Sequence, residues 1–309
     1  RVASDGTQGD GSSGQPAISA DGRFVAFFSF AANLVPGDTN GTGDVFLHEL
    51  QTGLTPRVSV STGGAQGNGF SSTPSISGDG RFIAFESSAS NLVAGDNNNN
   101  TDVFVHDRLE DSTQGAWANP KQFGNLPGGA PKISADGLVV AFAVHLQDWA
   151  SDDTRGRSQV LVRDLTTGVT APAGGNPVSD FGIGAAGALS ISADGSWVAL
   201  RSNATDLVPG DTNQADDVFV IGRERGTVWR ASVDSAGDQG DGASGEPTVS
   251  GDGRFVAFWS VAFNLLEQDS NGTGDIFVHD QEAGITRQVS VGHDGADGDG
   301  SSASPSISA

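Results

Sequence analysis

One acidic pattern recurs four times in the sequence, with Asp followed by Asn two residues on and by Asp six residues on. It is carried by Asp38, Asn40 and Asp44, by Asp96, Asn98 and Asp102, by Asp211, Asn213 and Asp217, and by Asp269, Asn271 and Asp275. Hard oxygen donors at this spacing around a Gly- and Asn-rich turn suit Ca²⁺, which takes about six to eight oxygens at about 2.3–2.6 Å, some from backbone carbonyls. Mg²⁺ keeps more water and fewer protein ligands. Transition metals favour His or Cys, which these loops lack. The same residues also make hydrogen-bonded turns without any ion. Three features favour the ion. The spacing recurs, the closing Asp stands where a strand begins and a carboxylate has no intrinsic advantage, and a formal net charge of −22 calls for counter-ions. Several bound Ca²⁺ ions are therefore expected, with these residues as ligands.

The corresponding loop between them reads Asp153-Thr-Arg155-Gly-Arg157-Ser-Gln159, where guanidinium groups stand in for the ion and no metal is expected. A second oxygen-rich set, Asp10, Asn68, Asp241 and Asp299, lies in Gly-rich segments, with Asn125 and Ile183 at the matching places. These residues are further candidate ligands, expected at the same end of the molecule as the first set. His48, His106 and His279 recur at the end of one strand, followed by Glu or Asp, and read as structural. There is no Gly-x-Ser-x-Gly, phosphate loop or His-Glu-x-x-His motif, and nothing points to a catalytic triad. Trp197 and Trp259 read as core, while Trp149 and Phe70 are the aromatic candidates for a glycan contact.

The elements that position these loops follow from an internal repeat. Pro16-Ala-Ile-Ser-Ala-Asp-Gly-Arg-Phe-Val-Ala-Phe recurs from Pro74, Pro131, Leu189 and Pro247, and Pro305-Ser-Ile-Ser-Ala starts it again at the end. Each repeat reads as four strands: a short one at Ile18-Ser19, one at Phe24–Ser29, one at Asp44-Val-Phe-Leu-His and one at Arg57-Val-Ser-Val-Ser. The Asp-Gly between the first two supplies the backbone freedom of a tight turn. The second strand is apolar on both faces, which suits sheets stacked on sheets. Four short antiparallel strands at one period predict an all-β propeller, residues 1–309 forming a single domain. Residues 1–15 match the end of a repeat and 305–309 the start of one, so six blades are expected, the sixth incomplete and open to completion by a neighbouring subunit.

Composition narrows the function. Asp and Glu number 38 against 16 Lys and Arg, which opposes nucleic acid and anionic membranes as partners. No stretch approaches the roughly 18 apolar residues of a membrane span. Cysteine is absent, so disulfides and thiolate chemistry are excluded. Methionine is also absent, even at position 1, so the chain is expected to begin after processing or within a longer protein.

The segment Ile-Ser-x-Asp-Gly-Arg-Phe-Val-Ala-Phe resembles the TolB-like propeller repeat of bacterial proteins. Its combination with Asn-Leu-Val-x-Gly-Asp-x-Asn and Asp-Val-Phe-Val-His-Asp looks like a variant of secreted or surface proteins, and the match spans residues 16–305. The resemblance implies a propeller located outside the cytoplasm (extracellular, on the cell surface or periplasmic) and favours protein binding over catalysis. The expectation is a calcium-binding, non-enzymatic interaction or structural module with a protein partner or self-assembly. A propeller hydrolase or lyase and a glycan-binding module are the alternatives.

Overall fold

The computed structural model describes residues 2–116, 131–145, 158–174, 189–266 and 271–308. Among these residues there is no helix, and the strands form five antiparallel sheets. The first holds β1 (Ser13–Ile18), β2 (Phe24–Ser29) and β3 (Asp44–Glu49). The second holds β4 (Ser71–Ile76), β5 (Phe82–Ser87), β6 (Asp102–Asp107) and β7 (Ser112–Gly115). The third holds β8 (Lys132–Ile133), β9 (Val139–His145), β10 (Ser158–Asp164) and β11 (Thr170–Pro172). The fourth holds β12 (Leu189–Ile191), β13 (Trp197–Ser202), β14 (Asp217–Gly222) and β15 (Thr227–Arg230). The fifth holds β16 (Ser244–Val249), β17 (Phe255–Ser260), β18 (Asp275–Asp280) and β19 (Ile285–Gln288). Strands pair in chain order in every sheet, so each repeat is an up-and-down blade. The chain divides into two compact units, residues 1–154 with 162–170 and residues 155–161 with 171–309.

The second and third strands of each repeat lie where the sequence places them. Their side chains are buried on both faces, because neighbouring sheets stack. In the first unit Phe24, Ala26, Val45 and Leu47 pack with Ile83, Phe85, Leu92 and Phe104 of the next repeat. In the second unit Ala199, Val218 and Val220 pack with Val256, Phe258, Leu265 and Phe277. A pair of rings marks the same position in three repeats: Phe27 with Phe46, Phe85 with Phe104, and Phe258 with Phe277, at centroid distances of 5.9, 5.9 and 5.8 Å.

The outer two strands differ from expectation. The first strand starts earlier, at Ser13, Ser71 and Ser244, and runs through the proline. The register shifts between Gly14 and Ala17, Gln15 takes φ 51°, and the same irregularity recurs at Thr73 (φ 51°) and Glu246 (φ 49°). A bulge there lets Pro16 sit in the strand without the ladder hydrogen bond that its missing N–H would leave unmade. The fourth strand ends earlier. In the first repeat it is reduced to the bridge between Phe46 and Arg57, and β15 stops at Arg230. The chain turns there because Val58 N–H and Ser59 N–H both donate to Val45 O, at 2.8 and 3.3 Å.

Both chain ends repeat local patterns. The bridge Val2–Gln8 matches Val60–Gln66, Val233–Gln239 and Val291–Asp297. Ser302 N–H donates to Gly274 O at 2.8 Å, as Ser71 N–H does to Gly43 O.

The recurring histidines are structural. His48, His106 and His279 place Nδ1 at 2.9, 3.0 and 2.9 Å from Thr55, Thr113 and Thr286 Oγ1. Each threonine hydroxyl donates to a carbonyl of the preceding repeat, that of Val2, Val60 or Val233. The hydroxyl proton is thereby committed, so Nδ1 carries the imidazole proton and donates. Burial holds His106 and His279 below the ordinary histidine pKa, opposed by Asp111 and Asp107 at the first and by Asp280 at the second.

Candidate functional site

The loops between the second and third strands bring the expected acids together, but around a group of the chain itself. In the first repeat Asp38 Oδ2 lies 3.2 Å from Arg57 Nη2, and Asp44 Oδ2 lies 3.3 Å from Arg57 Nε. In the fourth, Asp211 and Asp217 meet Arg230 at 3.2 and 3.4 Å. All these side chains are nearly removed from solvent, Arg57 and Arg230 at 8% exposure each. Gln66 Nε2 donates to Asp38 at 2.8 Å and to Asp44 at 3.2 Å, and Gln239 does the same for Asp211 and Asp217 at 3.0 and 2.9 Å. Ser59 and Ser232 hydroxyls donate to the remaining oxygen of Asp44 and Asp217, at 2.7 and 2.6 Å.

Asp38, Asp44, Asp211 and Asp217, expected as calcium ligands, thus face a guanidinium of the chain itself. A guanidinium with two carboxylates already supplies the charge that a cation was expected to bring. It also explains why an Asp opens the strand: its two oxygens close the turn onto Ser59 and Arg57.

The asparagines take the same part in every loop. Asn40, Asn98, Asn213 and Asn271 each accept a backbone N–H on Oδ1, from Thr42, Asn100, Ala215 and Thr273. Each turns Nδ2 toward the closing Asp, at 3.2, 2.9, 3.3 and 3.0 Å. A donor faces the carboxylate, and each amide locks its turn. In three of the loops the same Nδ2 also reaches a carbonyl of the following loop, Gly67, Gly240 or Gly298.

The second repeat departs from this scheme. Phe104 pairs with Gly115 where Phe46 pairs with Arg57, so no arginine reaches the acids from that position. Asp102 is 3% exposed, and burial pushes its carboxyl up to about 7; Asn98 opposes the rise and the charge of Asp96 adds to it. Asp96 is raised too, by burial against a backbone hydrogen bond from Asn98. Burial likewise raises Asp44 and Asp217, against Ser59, Arg57 and Gln66 at the first and Ser232, Gln239 and Arg230 at the second. In the fifth repeat Gln288 takes the arginine position, and Asp275 accepts from Ser290 at 2.7 Å. Asp269 lies outside the described residues, as do Asp153, Arg155, Arg157, Asn125, Ile183, Trp117 and Trp149. No group of three or more His, Asp or Glu able to hold a metal occurs among the described residues.

The second oxygen-rich set clamps the neighbouring loop. Asp10 Oδ1 accepts Ala32 N–H at 2.9 Å and Asp10 N–H donates to Asn33 Oδ1 at 3.0 Å. Asn68 pairs in the same way with Ser90 and Asn91, and Asp241 with Phe263 and Asn264. These residues, too, are occupied by protein donors, while Asp299 is exposed. The glycine that follows is required: a Cβ at Gly11 or Gly69 would lie 2.5 or 2.6 Å from the backbone of the facing strand end. The two loop sets therefore share one end within each unit, as the antiparallel blade predicts.

The signal that could have found the arginines was present. Arg57 and Arg230 stand at one repeat position, and so do Gln66 and Gln239. Glycine and glutamine take that place in the second and fifth repeats, where no arginine reaches the closing aspartate from it.

Two aromatic readings also change. Trp197 packs against the core cluster of its unit but, like Trp259, is only half-buried. Phe70 does not stand alone, because Phe28, Phe30 and Phe70 form a cluster with centroids 5.0, 5.5 and 5.8 Å apart. Phe30 and Phe70 are 51% and 38% exposed.

No protein-family model matches the chain, and no curated protein matches it. Solved structures do. TolB from Acinetobacter baumannii superposes with a TM-score of 0.50 and 18% identity, over 89% of this chain and 53% of that one. A structure assigned as TolB from Agrobacterium tumefaciens gives 0.51 and 16%, over 90% and 80%. An oligogalacturonate lyase in complex with manganese gives 0.54 and 14%, over 92% and 67%. The chain thus spans about half the length of the Acinetobacter protein. Likeness at such identity carries architecture and leaves activity open. The chain has the all-β blade fold of the TolB-like β-propeller proteins.

Proposed function

We propose that this is an exported, non-catalytic propeller module that binds a protein partner through its loop end. The observation behind this reading is the cluster of Phe28, Phe30 and Phe70. Large aromatic side chains in contact with one another and open to solvent are the usual anchors of a protein interface. They stand beside loops whose polar groups are already committed to Arg57, Gln66 and Ser59, so the surface is held rigidly. The fold likeness to TolB is in keeping with this reading. Phe30→Ser/Phe70→Ser should keep the melting temperature within a few degrees. It should lose whatever protein, a second copy included, the parent retains from an envelope and secretion extract of the producing organism. Equal retention by parent and variant, or none by either, overturns the reading. The enzymatic alternative rests on the oligogalacturonate lyase neighbour. Its check is incubation with oligogalacturonate and Mn²⁺, following the ultraviolet absorbance of an unsaturated uronate product, and turnover would replace the binding reading.

Calcium has a place in this reading at the second repeat, through Asp96 and Asp102. There the buried Asp102 and the half-buried Asp96 lie together without the guanidinium that neutralises their counterparts, and a divalent ion would let both ionise. Millimolar CaCl₂ should raise the melting temperature of the parent and not of Asp102→Asn. An unchanged parent melt removes calcium from the account.

A further inference from the structure

The opposite end of the blades, where the first and second strands meet at an Asp-Gly turn, carries its own repeated device. In three repeats an arginine after the turn lies over the next ring. Arg23, Arg81 and Arg254 stand 5.1, 4.7 and 4.8 Å from the centroids of Phe24, Phe82 and Phe255. Each is held there by an acid at the end of the third strand: Glu49 at 3.4 Å, Asp107 at 2.7 Å and Asp280 at 2.7 Å. The ring face is thereby covered.

The fourth repeat loses both partners together. Ser196 stands where the arginine would be and Gly222, paired with Trp197, where the acid would be. The ring itself is larger, Trp197 replacing phenylalanine. Over it opens a cleft of about 430 Å³, within the size range of small-ligand sites. It is lined by Trp197, Ser196, Gly222, Arg223, Glu224 and Arg225, together with Asp194 and Thr227. Gly222 keeps it open, because a Cβ there would meet Trp197 Cζ3 at 2.8 Å and Thr227 Oγ1 at 2.6 Å.

We propose that this cleft binds a neutral sugar ring, stacked on Trp197. The lining holds two guanidiniums and two carboxylates, so its formal charges cancel and it offers no net attraction to an ion. It presents donors (Arg223, Arg225), an acceptor (Glu224) and the Thr227 hydroxyl, while the Ser196 hydroxyl donates to Asp194 Oδ2 at 2.8 Å and keeps its lone pairs for a ligand; sugar hydroxyls both donate and accept. Hydrogen bonds from such groups to charged partners are the stronger kind. The indole supplies a broad, flat apolar surface for the C–H face of a pyranose. Arg223 is already oriented, since its Nη1 donates to Gly195 O at 2.8 Å. The site shares no residue with the phenylalanine cluster and stands whether or not that cluster binds a protein.

The experiment is a titration of the whole chain with maltose, cellobiose, lactose and N,N′-diacetylchitobiose, read by saturation-transfer NMR and indole fluorescence. At least one sugar should give a saturable signal. Ser196→Arg should cover the ring and weaken that signal at least tenfold. Ser196→Arg/Trp197→Phe/Gly222→Asp/Thr227→Ser, which rebuilds the arrangement of Arg81, Phe82, Asp107 and Ser112 in the second repeat, should abolish it without lowering the melting temperature. Saturable binding that persists in the rebuilt variant overturns the proposal. So does the absence of binding by all four sugars. Uptake of free arginine at the cleft with no sugar bound would assign it instead to a cation.

Discussion

The loops of the first and second repeats share Asp, Asn and Asp at the same spacing, yet their carboxylates live in different electrostatic surroundings. Asp38 and Asp44 close on Arg57, whereas Asp102 has Asn98 as a donor and Asp96 as a like charge. A motif in a loop thus does not reveal its own counter-ion. The deciding residue sits at the end of another strand, and its loss in one repeat turns a neutralised cluster into a carboxyl that holds its proton near neutral pH.

The largest expected effect breaks the first cluster. Arg57→Met leaves Asp38 and Asp44 buried without a cation and should cost about 3–5 kcal/mol. Urea unfolding at pH 7 measures it, and adding Asp38→Asn and Asp44→Asn should recover most of the loss. A cost below about 1 kcal/mol would mean that the guanidinium is not the counter-ion.

The converse change in the second repeat should stabilise. Because Asp102 has a folded pKa of about 7, above the ordinary carboxylate value of 3.8, the folded state binds the extra proton between them. The stability contributed by that proton is present below pH 3.8 and is lost as pH rises through about 7. Asp102→Asn removes this loss, so its gain should grow from near zero at pH 4 to roughly 1–3 kcal/mol at pH 8. A pH-independent difference between variant and parent would contradict the assignment.

Smaller effects sharpen the comparison. Gln66→Leu removes two hydrogen bonds to buried carboxylates and should cost about 1–3 kcal/mol in urea unfolding. Asn68→Ala, in the exposed loop clamp, should cost only about 0.5–1.5 kcal/mol by the same measurement. If the order of these two reversed, the clamp and not the acidic cluster would be the main stabiliser of the loop end.

Much of the fold was legible because a repeat states the same physical problem five times. The alternation around Phe24, Ala26 and Phe28 marked a strand, and its apolar second face marked stacking between sheets. The bulge at Gln15 was not legible, since the apolar signal of the first strand begins at Ile18, beyond the proline. The loop site was half legible. Spacing brought Asp38 to Asp44, but the amide orientation of Asn40 and the approach of Arg57 depend on a contact across the blade. The cleft over Trp197 was hidden for a different reason. It arises from two absences, at Ser196 and Gly222, which become adjacent only when the third strand pairs with the second.

The order of residues by itself determined the blade, its period, the buried strands and the clustering of acids at one end, because these follow from local periodicity and turn chemistry. Only the tertiary structure decided which cation answers each acid pair, which amide face meets the carboxylate, and where an arginine covers an aromatic ring. Those outcomes depend on distances between strands far apart in the chain, and electrostatic and packing energies change within an ångström or two of separation.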